Sequence, residues 1–295
     1  MYFRLPQAIV LLIFCASCNA SENKTIASNV YRITKDIVAY GPRDPGSKGL
    51  EKVRSYLRGK VAGMGFVLQE QHFKANTPLG AIEMKNLYFD IPGTTSAMIL
   101  LGAHYDSKRM EDMKFIGAND AASSVALLLG LSPWIKKQRF KYTVRVVLFD
   151  GEEAIRTWSS LDSLYGSKAY VQQIGEKESV KAAVIVDMIS DEDLQLIRSR
   201  GSNEKLLQLL EKSLAQLSMQ KLLSSQWMFV EDDHVPFIKK GIPTLHLMDY
   251  TFGGKNTPGV FWHTEKDDMS KVSKASLQTM TKLMTTLLPE MVSSL

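Results

Sequence analysis

Ala97-Met98-Ile99-Leu100-Leu101-Gly102-Ala103 is an uninterrupted apolar run that ends abruptly in His104-Tyr105-Asp106. A run this short with no polar alternation suits a strand buried on both faces. The same construction recurs downstream. The stretch 142–149 is apolar apart from Thr143 and Arg145 and gives way to Asp150-Gly151-Glu152-Glu153, and 182–189 is apolar with Asp187 inside it. Strands are also expected at 66–73, 82–90, 227–230 and 243–248. Helices are expected over 28–40, 46–64, from about 119, from about 162, and over 202–217, 234–239 and 271–293. Strands that alternate with helices, several of them wholly apolar, predict an α/β fold with three layers, α/β/α, around a central mixed, mostly parallel sheet.

In such sheets ligands gather at the carboxyl ends of the strands, and this chain's ionisable residues gather there too. His104, Asp106, Glu152, Glu153, Asp187 and His246 lie on or after apolar strands. Asp120 stands at the expected start of a helix, and His263 follows a loop. Singly, each suits a capping carboxylate or a satisfied core histidine. Together they would bury several negative charges in one place, which requires a compensating cation. Mixed histidine and carboxylate donors suit zinc with a position left open for substrate or water. Neighbouring residues on an extended segment face opposite ways. One of Glu152 and Glu153 can therefore hold metal while the other faces the substrate as an acid or base.

Composition narrows the function classes. The chain has 295 residues, 45% apolar and 23% charged, with a formal net charge of +5. That length permits one domain with a deep core. Lys and Arg are dispersed among Asp and Glu, so the concentrated basic patch of a nucleic-acid binder is missing. Arg4, the apolar run 8–16 and the small residues Cys18-Asn19-Ala20 resemble a cleaved leader over 1–20. The run is shorter than the roughly 20 residues of a spanning helix. A lipid-anchored Cys18 is the alternative, although the usual upstream Leu is missing. Secretion is expected, with a single catalytic domain over 21–295 and no membrane attachment after cleavage. Both cysteines, Cys15 and Cys18, lie in the leader, so the mature chain would carry no disulfide, no cysteine nucleophile and no cysteine-bound zinc. Asn23-Lys24-Thr25 is a potential glycan acceptor in a eukaryotic host.

The order of motifs resembles that of animal glutaminyl-peptide cyclotransferases. The stretches that carry the resemblance are 104–108 (HYDSK), 149–154 (FDGEEA), 158–159 (WS), 162–167 (DSLYGS), 232–237 (DDHVPF), 241–247 (GIPTLHL) and 262–264 (WHT). They run in order through nearly the whole mature chain. The resemblance implies a zinc aminopeptidase-like fold and the conversion of N-terminal glutamine to pyroglutamate with release of ammonia. It implies one Zn2+ per chain on Asp120, Glu153 and His263, with Glu152 as general base and then acid. It also implies Asp187 and Asp232 as a carboxylate pair steadying the amine and the leaving nitrogen. His246, Trp158, Phe252 and Trp262 would surround the substrate, and His104 and Asp106 would support the ligands from behind. The substrates would be peptides or proteins with N-terminal glutamine, and a monomer is expected.

Zinc aminopeptidases of the wider superfamily set the competing expectation. There two zincs share the equivalent of Asp120, with the His104 and Asp187 positions as further ligands, and all five groups are retained here. A non-catalytic binding module is disfavoured by the intact Glu152. Departures from the cyclotransferase pattern are Ala103 and Val125 where some members pair cysteines, Glu231 where Gln is common, and a longer 249–261 loop.

Overall fold

The computed structural model describes residues 7–175 and 178–295. Two helices, α1 (Gln7–Val38) and α2 (Lys48–Gly63), precede three strands, β1 (Gln69–Thr77), β2 (Gly80–Ile91) and β3 (Thr95–His104). Helix α3 (Ser124–Gln138), β4 (Tyr142–Phe149), α4 (Tyr165–Gln173) and β5 (Val180–Asp187) follow. The chain continues through β6 (Leu196–Ser199), α5 (Glu204–Gln216), β7 (Leu223–Met228), α6 (His234–Lys239), β8 (Thr244–Met248) and α7 (Lys274–Ser294). Six strands form the main sheet in the order β1-β2-β4-β3-β5-β8, and β6 and β7 form a small parallel pair. The β1–β2 and β2–β4 pairs are antiparallel, while β3 pairs parallel with β4 and β5, and β5 with β8. The sheet is therefore mixed, with β4, β3, β5 and β8 as its parallel half.

Alternation along those runs fills two cores. Ile99, Leu101, Val144, Val146, Val184 and Val186 face a large cluster that includes residues of α1, α2, α3, α5 and α7. Met98, Leu100, Val147, Phe149, Ala183 and Ile185 face the other way, against Tyr170 and Val171 of α4 and Phe237 of α6. Each fully buried Val, Leu, Ile or Phe contributes about 1.5–3 kcal/mol relative to exposure. Both sheet faces are thus worth covering, which is the three-layer α/β/α arrangement.

Three local features depart from the sequence expectations. Helix α1 begins at Gln7 instead of near Ser28, so it runs on from the segment read as a leader; residues 1–6 of that leader lie outside the described ones. Among the described residues no helix is long and apolar enough to cross a membrane. Strand β6 has four residues, too few for a period to register, and was not expected. Asp120 does not start a regular helix: its φ of −105° and ψ of 92° place it in a kink before α3.

Buried Arg43, from the turn between α1 and α2, ties down this part of the sheet edge. Its Nε donates to the Tyr105 carbonyl at 3.2 Å, one Nη to the Gly117 carbonyl at 3.0 Å, and the other to the Ile116 carbonyl. Arg43→Leu strips three carbonyls of their donor, each worth about 1–3 kcal/mol if left unsatisfied. A loss of at least about 3 kcal/mol is expected in urea unfolding; a loss under 1 kcal/mol would show that solvent replaces the guanidinium.

Candidate active site

The turn after β4 delivers the two glutamates. Gly151 has φ +68°, and a Cβ there would sit 2.7 Å from Met84 Sδ, so only glycine fits. The Gly151 and Glu152 carbonyls accept from the Tyr165 and Leu164 amides, each at 2.8 Å. Asp106 at the end of β3 accepts from the Glu152 amide at 3.2 Å and the Glu153 amide at 3.3 Å. Asp106 therefore supports the glutamates through their backbone. It also lies 3.3 Å from His104 Nδ1, which fixes that ring from behind.

Asp120 is set by a residue the sequence pattern did not single out. The Asp267 carboxylate accepts from the Asn119 amide at 2.7 Å and the Asp120 amide at 3.1 Å. Burial and the nearby Asp120 charge push the Asp267 carboxyl well above its ordinary range. An aspartate in a loop four residues after His263 offers no periodic signal. Its role becomes visible only when the 249–268 loop folds back on the Asp120 kink.

Three ligand-capable groups then converge. His263 Nε2 lies 3.0 Å from Glu153 Oε1 and 3.5 Å from Asp120 Oδ2. His104 Nε2 lies 3.1 Å from Asp120 Oδ1 and 3.4 Å from Asp187 Oδ1. Asp120, Glu153 and His263 form one cluster with all ligand atoms within 4.8 Å of one another, and His104, Asp120 and Asp187 form another. Donors about 2.0–2.2 Å from a tetrahedral zinc lie about 3.3–3.6 Å apart, close to the 3.0 and 3.5 Å separations of His263 from Glu153 and Asp120. Within the described residues the second oxygen of Glu153 is buried without a hydrogen-bond partner, which an ion would supply. The donor set, one imidazole with two carboxylates, suits zinc. These residues fit the metal.

The charges around the cluster push its members apart. Burial drives the Glu152 carboxyl well above its usual value, aided by Glu153, Asp232 and Asp233 and opposed by His104. Burial also lifts Asp187 to about 7, aided by Asp120. Burial acts likewise on Asp232, but His246 outweighs it and holds this carboxyl below the ordinary value. His246 Nε2 lies 2.7 Å from Asp232 Oδ2.

A cavity of about 530 Å³ opens over these groups, lined by Asp120, Glu152, Glu153, Asp187, Asp232 and His263. Trp158, Phe229, Val230, Tyr250 and Trp262 supply its apolar wall, and Lys108 reaches it from below Glu153. The Trp158 indole donates to Glu231 at 3.0 Å, and Trp262 stacks on His263 with centroids 3.8 Å apart. Two expected pocket residues are elsewhere. Phe252 is fully buried, packed edge-on against Phe261; Tyr250 lines the cavity instead. His246 does not line the cavity and acts on it through Asp232.

Behind His246 lies a second histidine. His234 stacks on it with centroids 4.0 Å apart, and burial, then His246, lowers its pKa to about 3. Because this folded pKa lies below the ordinary 6.5, the native state binds fewer protons than the unfolded chain between pH 6.5 and 3. Stability is then lost as pH falls through that window, by up to about 1.4 kcal/mol per unit from this one group. His234→Gln is expected to flatten the slope of unfolding free energy against pH from 6 to 4; an unchanged slope would show that His234 is not kept neutral.

The comparisons with known proteins follow the same lines. The profile of peptidase family M28 matches residues 86–288, and the chain belongs to that family. Within it the chain is similar to a glutaminyl-peptide cyclotransferase of Boiga irregularis, 28% identical over 82% of this chain and 75% of the relative. It is also similar to the crystal structure of an Acidobacteriales bacterium glutaminyl cyclase. There the identity is 31%, the TM-score 0.83, and the match covers 90% of this chain and 93% of that one. A Zn-dependent exopeptidase from Parabacteroides distasonis shares the fold, with a TM-score of 0.80 at 19% identity.

Proposed function

We propose that the chain is a secreted, zinc-dependent glutaminyl-peptide cyclotransferase that converts N-terminal glutamine to pyroglutamate and releases ammonia. The observation that carries this is Asp232, a third buried carboxylate at the cavity beside Glu152 and Asp187, with His246 Nε2 2.7 Å away. Hydrolysis brings its nucleophile as a metal-bound water. Cyclisation instead uses the substrate's own α-amine, which must be held, deprotonated and turned onto the γ-carbon, and carboxylates around an apolar cavity suit that task.

Asp120, Glu153 and His263 would hold the zinc, which when bound supplies Lewis-acid polarisation of the γ-carboxamide oxygen. The aromatic wall from Trp158 and Trp262 confines the glutamine side chain so that amine and carbonyl meet within one molecule, a gain of orientation and not of reagent. Glu152 takes a proton from the attacking nitrogen as the new C–N bond forms. It returns that proton to the carboxamide nitrogen as the old C–N bond breaks, so ammonia leaves instead of amide ion. Asp187 and Asp232 accept hydrogen bonds from the two nitrogens, and Asp106 and His104 keep the loop and the ligands in register. No water is consumed.

The His104, Asp120 and Asp187 cluster supports a second reading, a dizinc aminopeptidase. The two are separated by measuring zinc per chain, ammonia release from a Gln-peptide amide, and Leu release from a Leu-amide. One zinc with ammonia release is expected. Two zincs with Leu release would replace the cyclase by the peptidase.

A further inference from the structure

A second cavity of about 480 Å³ adjoins the first, and Arg156 and Thr157 line both. Its far wall is the tip of the β1–β2 hairpin, Asn76-Thr77-Pro78, and its near wall is the 159–162 loop. The shared ridge is firmly held. Asp162 accepts from the amides of Ile155, Arg156 and Thr157 at 2.8, 2.9 and 3.0 Å, and from the Tyr165 hydroxyl at 2.8 Å. With its oxygens so occupied, Asp162 offers little free charge to the groove. Arg156 is exposed and, among the described residues, takes part in no ion pair within 4 Å. Leu161 stands beside it, 82% exposed.

We infer that this groove receives the peptide chain downstream of the N-terminal glutamine, and that Arg156 selects substrates with an acidic side chain at the third or fourth residue. The inference rests on the cyclase reading above. Continuity supports it: a glutamine seated over Glu152 must send its peptide out of the first cavity, and the Arg156–Thr157 ridge is wall to both spaces. An extended chain advances about 3.3–3.6 Å per residue, so a pentapeptide reaches roughly 10 Å further toward the ridge than a dipeptide amide. Charge gives the selectivity. Lys108 is engaged with the Ala154 carbonyl and lies 3.9 Å from Glu153, so it is already spent at the metal cluster. Arg156 is the cation that faces the second space.

The test compares kcat/KM for Gln-Ala-amide with that for Gln-Ala pentapeptides carrying Glu or Lys at positions three and four. An exposed ion pair supports about a two- to fivefold preference for Glu over Lys, which should shrink as salt rises from 0.05 to 0.5 M. Arg156→Glu should invert the preference and Arg156→Ala abolish it, both ratios being taken within one enzyme preparation. Cyclisation of the pentapeptides without any Glu/Lys preference, or a preference that survives Arg156→Ala, overturns the groove and leaves the cyclase reading standing. Absence of ammonia from every Gln-peptide overturns the cyclase reading, and the groove falls with it.

Discussion

Glu152→Gln is expected to lower kcat for ammonia release by about 10²–10⁴-fold while zinc content and thermal midpoint stay at or above those of the wild-type protein. The glutamine has the same shape and still hydrogen-bonds, but it can neither take the amine proton nor return it to the leaving nitrogen. Zinc retention follows because Glu153, not Glu152, lies within 3.0 Å of His263 Nε2. Stability should not fall, because Glu152 is buried among Glu153, Asp232 and Asp233, and burial with their charges already disfavours its ionised form. Removing an ionisable group from such surroundings relieves a cost. Ammonia release under saturating peptide, metal analysis and a melting curve on one preparation decide the matter. Wild-type turnover by Glu152→Gln would move the proton transfer to another group, with Asp187 and Asp232 on the same cavity the candidates.

Much of this site was legible in the sequence because the physics that makes a strand also places its end. Apolar runs ending at His104 and Glu152 had to be central parallel strands, and their carboxyl ends had to meet. The residues that fix the donors were harder to see. Arg43 and Asp267 act on carbonyls and amides, and backbone contacts across 62 to 148 residues leave no trace in periodicity. The placement of Phe252 has a similar origin: in a loop without a period nothing in the sequence says which aromatic turns inward, and here Phe252 is buried while Tyr250 lines the cavity. Two clusters sharing Asp120 appear in sequence and structure alike, so the metal count belongs to experiment.

His263→Ala is the substitution with the largest expected effect, because it removes metal and activity together. His263 is the one nitrogen donor of the Asp120, Glu153 and His263 cluster. Without it two carboxylates remain, an all-oxygen pair that suits magnesium or calcium better than zinc. Losing an outer hydrogen-bond partner of a metal ligand typically costs 10–100-fold in affinity, and losing the ligand itself should cost more. Zinc is then expected to dialyse away and ammonia release to fall to background. The fold should survive, since the ring is partly exposed and its packing is limited to the Trp262 stack and an edge contact with Phe115 at 5.6 Å. The backbone at this residue carries φ +53°, a conformation costing an L-residue roughly 1–2 kcal/mol. His263→Gly would relieve that strain, so it should be the more stable of the two variants and equally inactive. Stability and function therefore separate at one position. Trp262→Ala supplies the contrast: it keeps all three donors, so it should hold zinc and raise KM without emptying the site. If His263→Ala retains a full equivalent of zinc, the metal sits on His104, Asp120 and Asp187 instead, and Glu152 would then serve a differently placed ion.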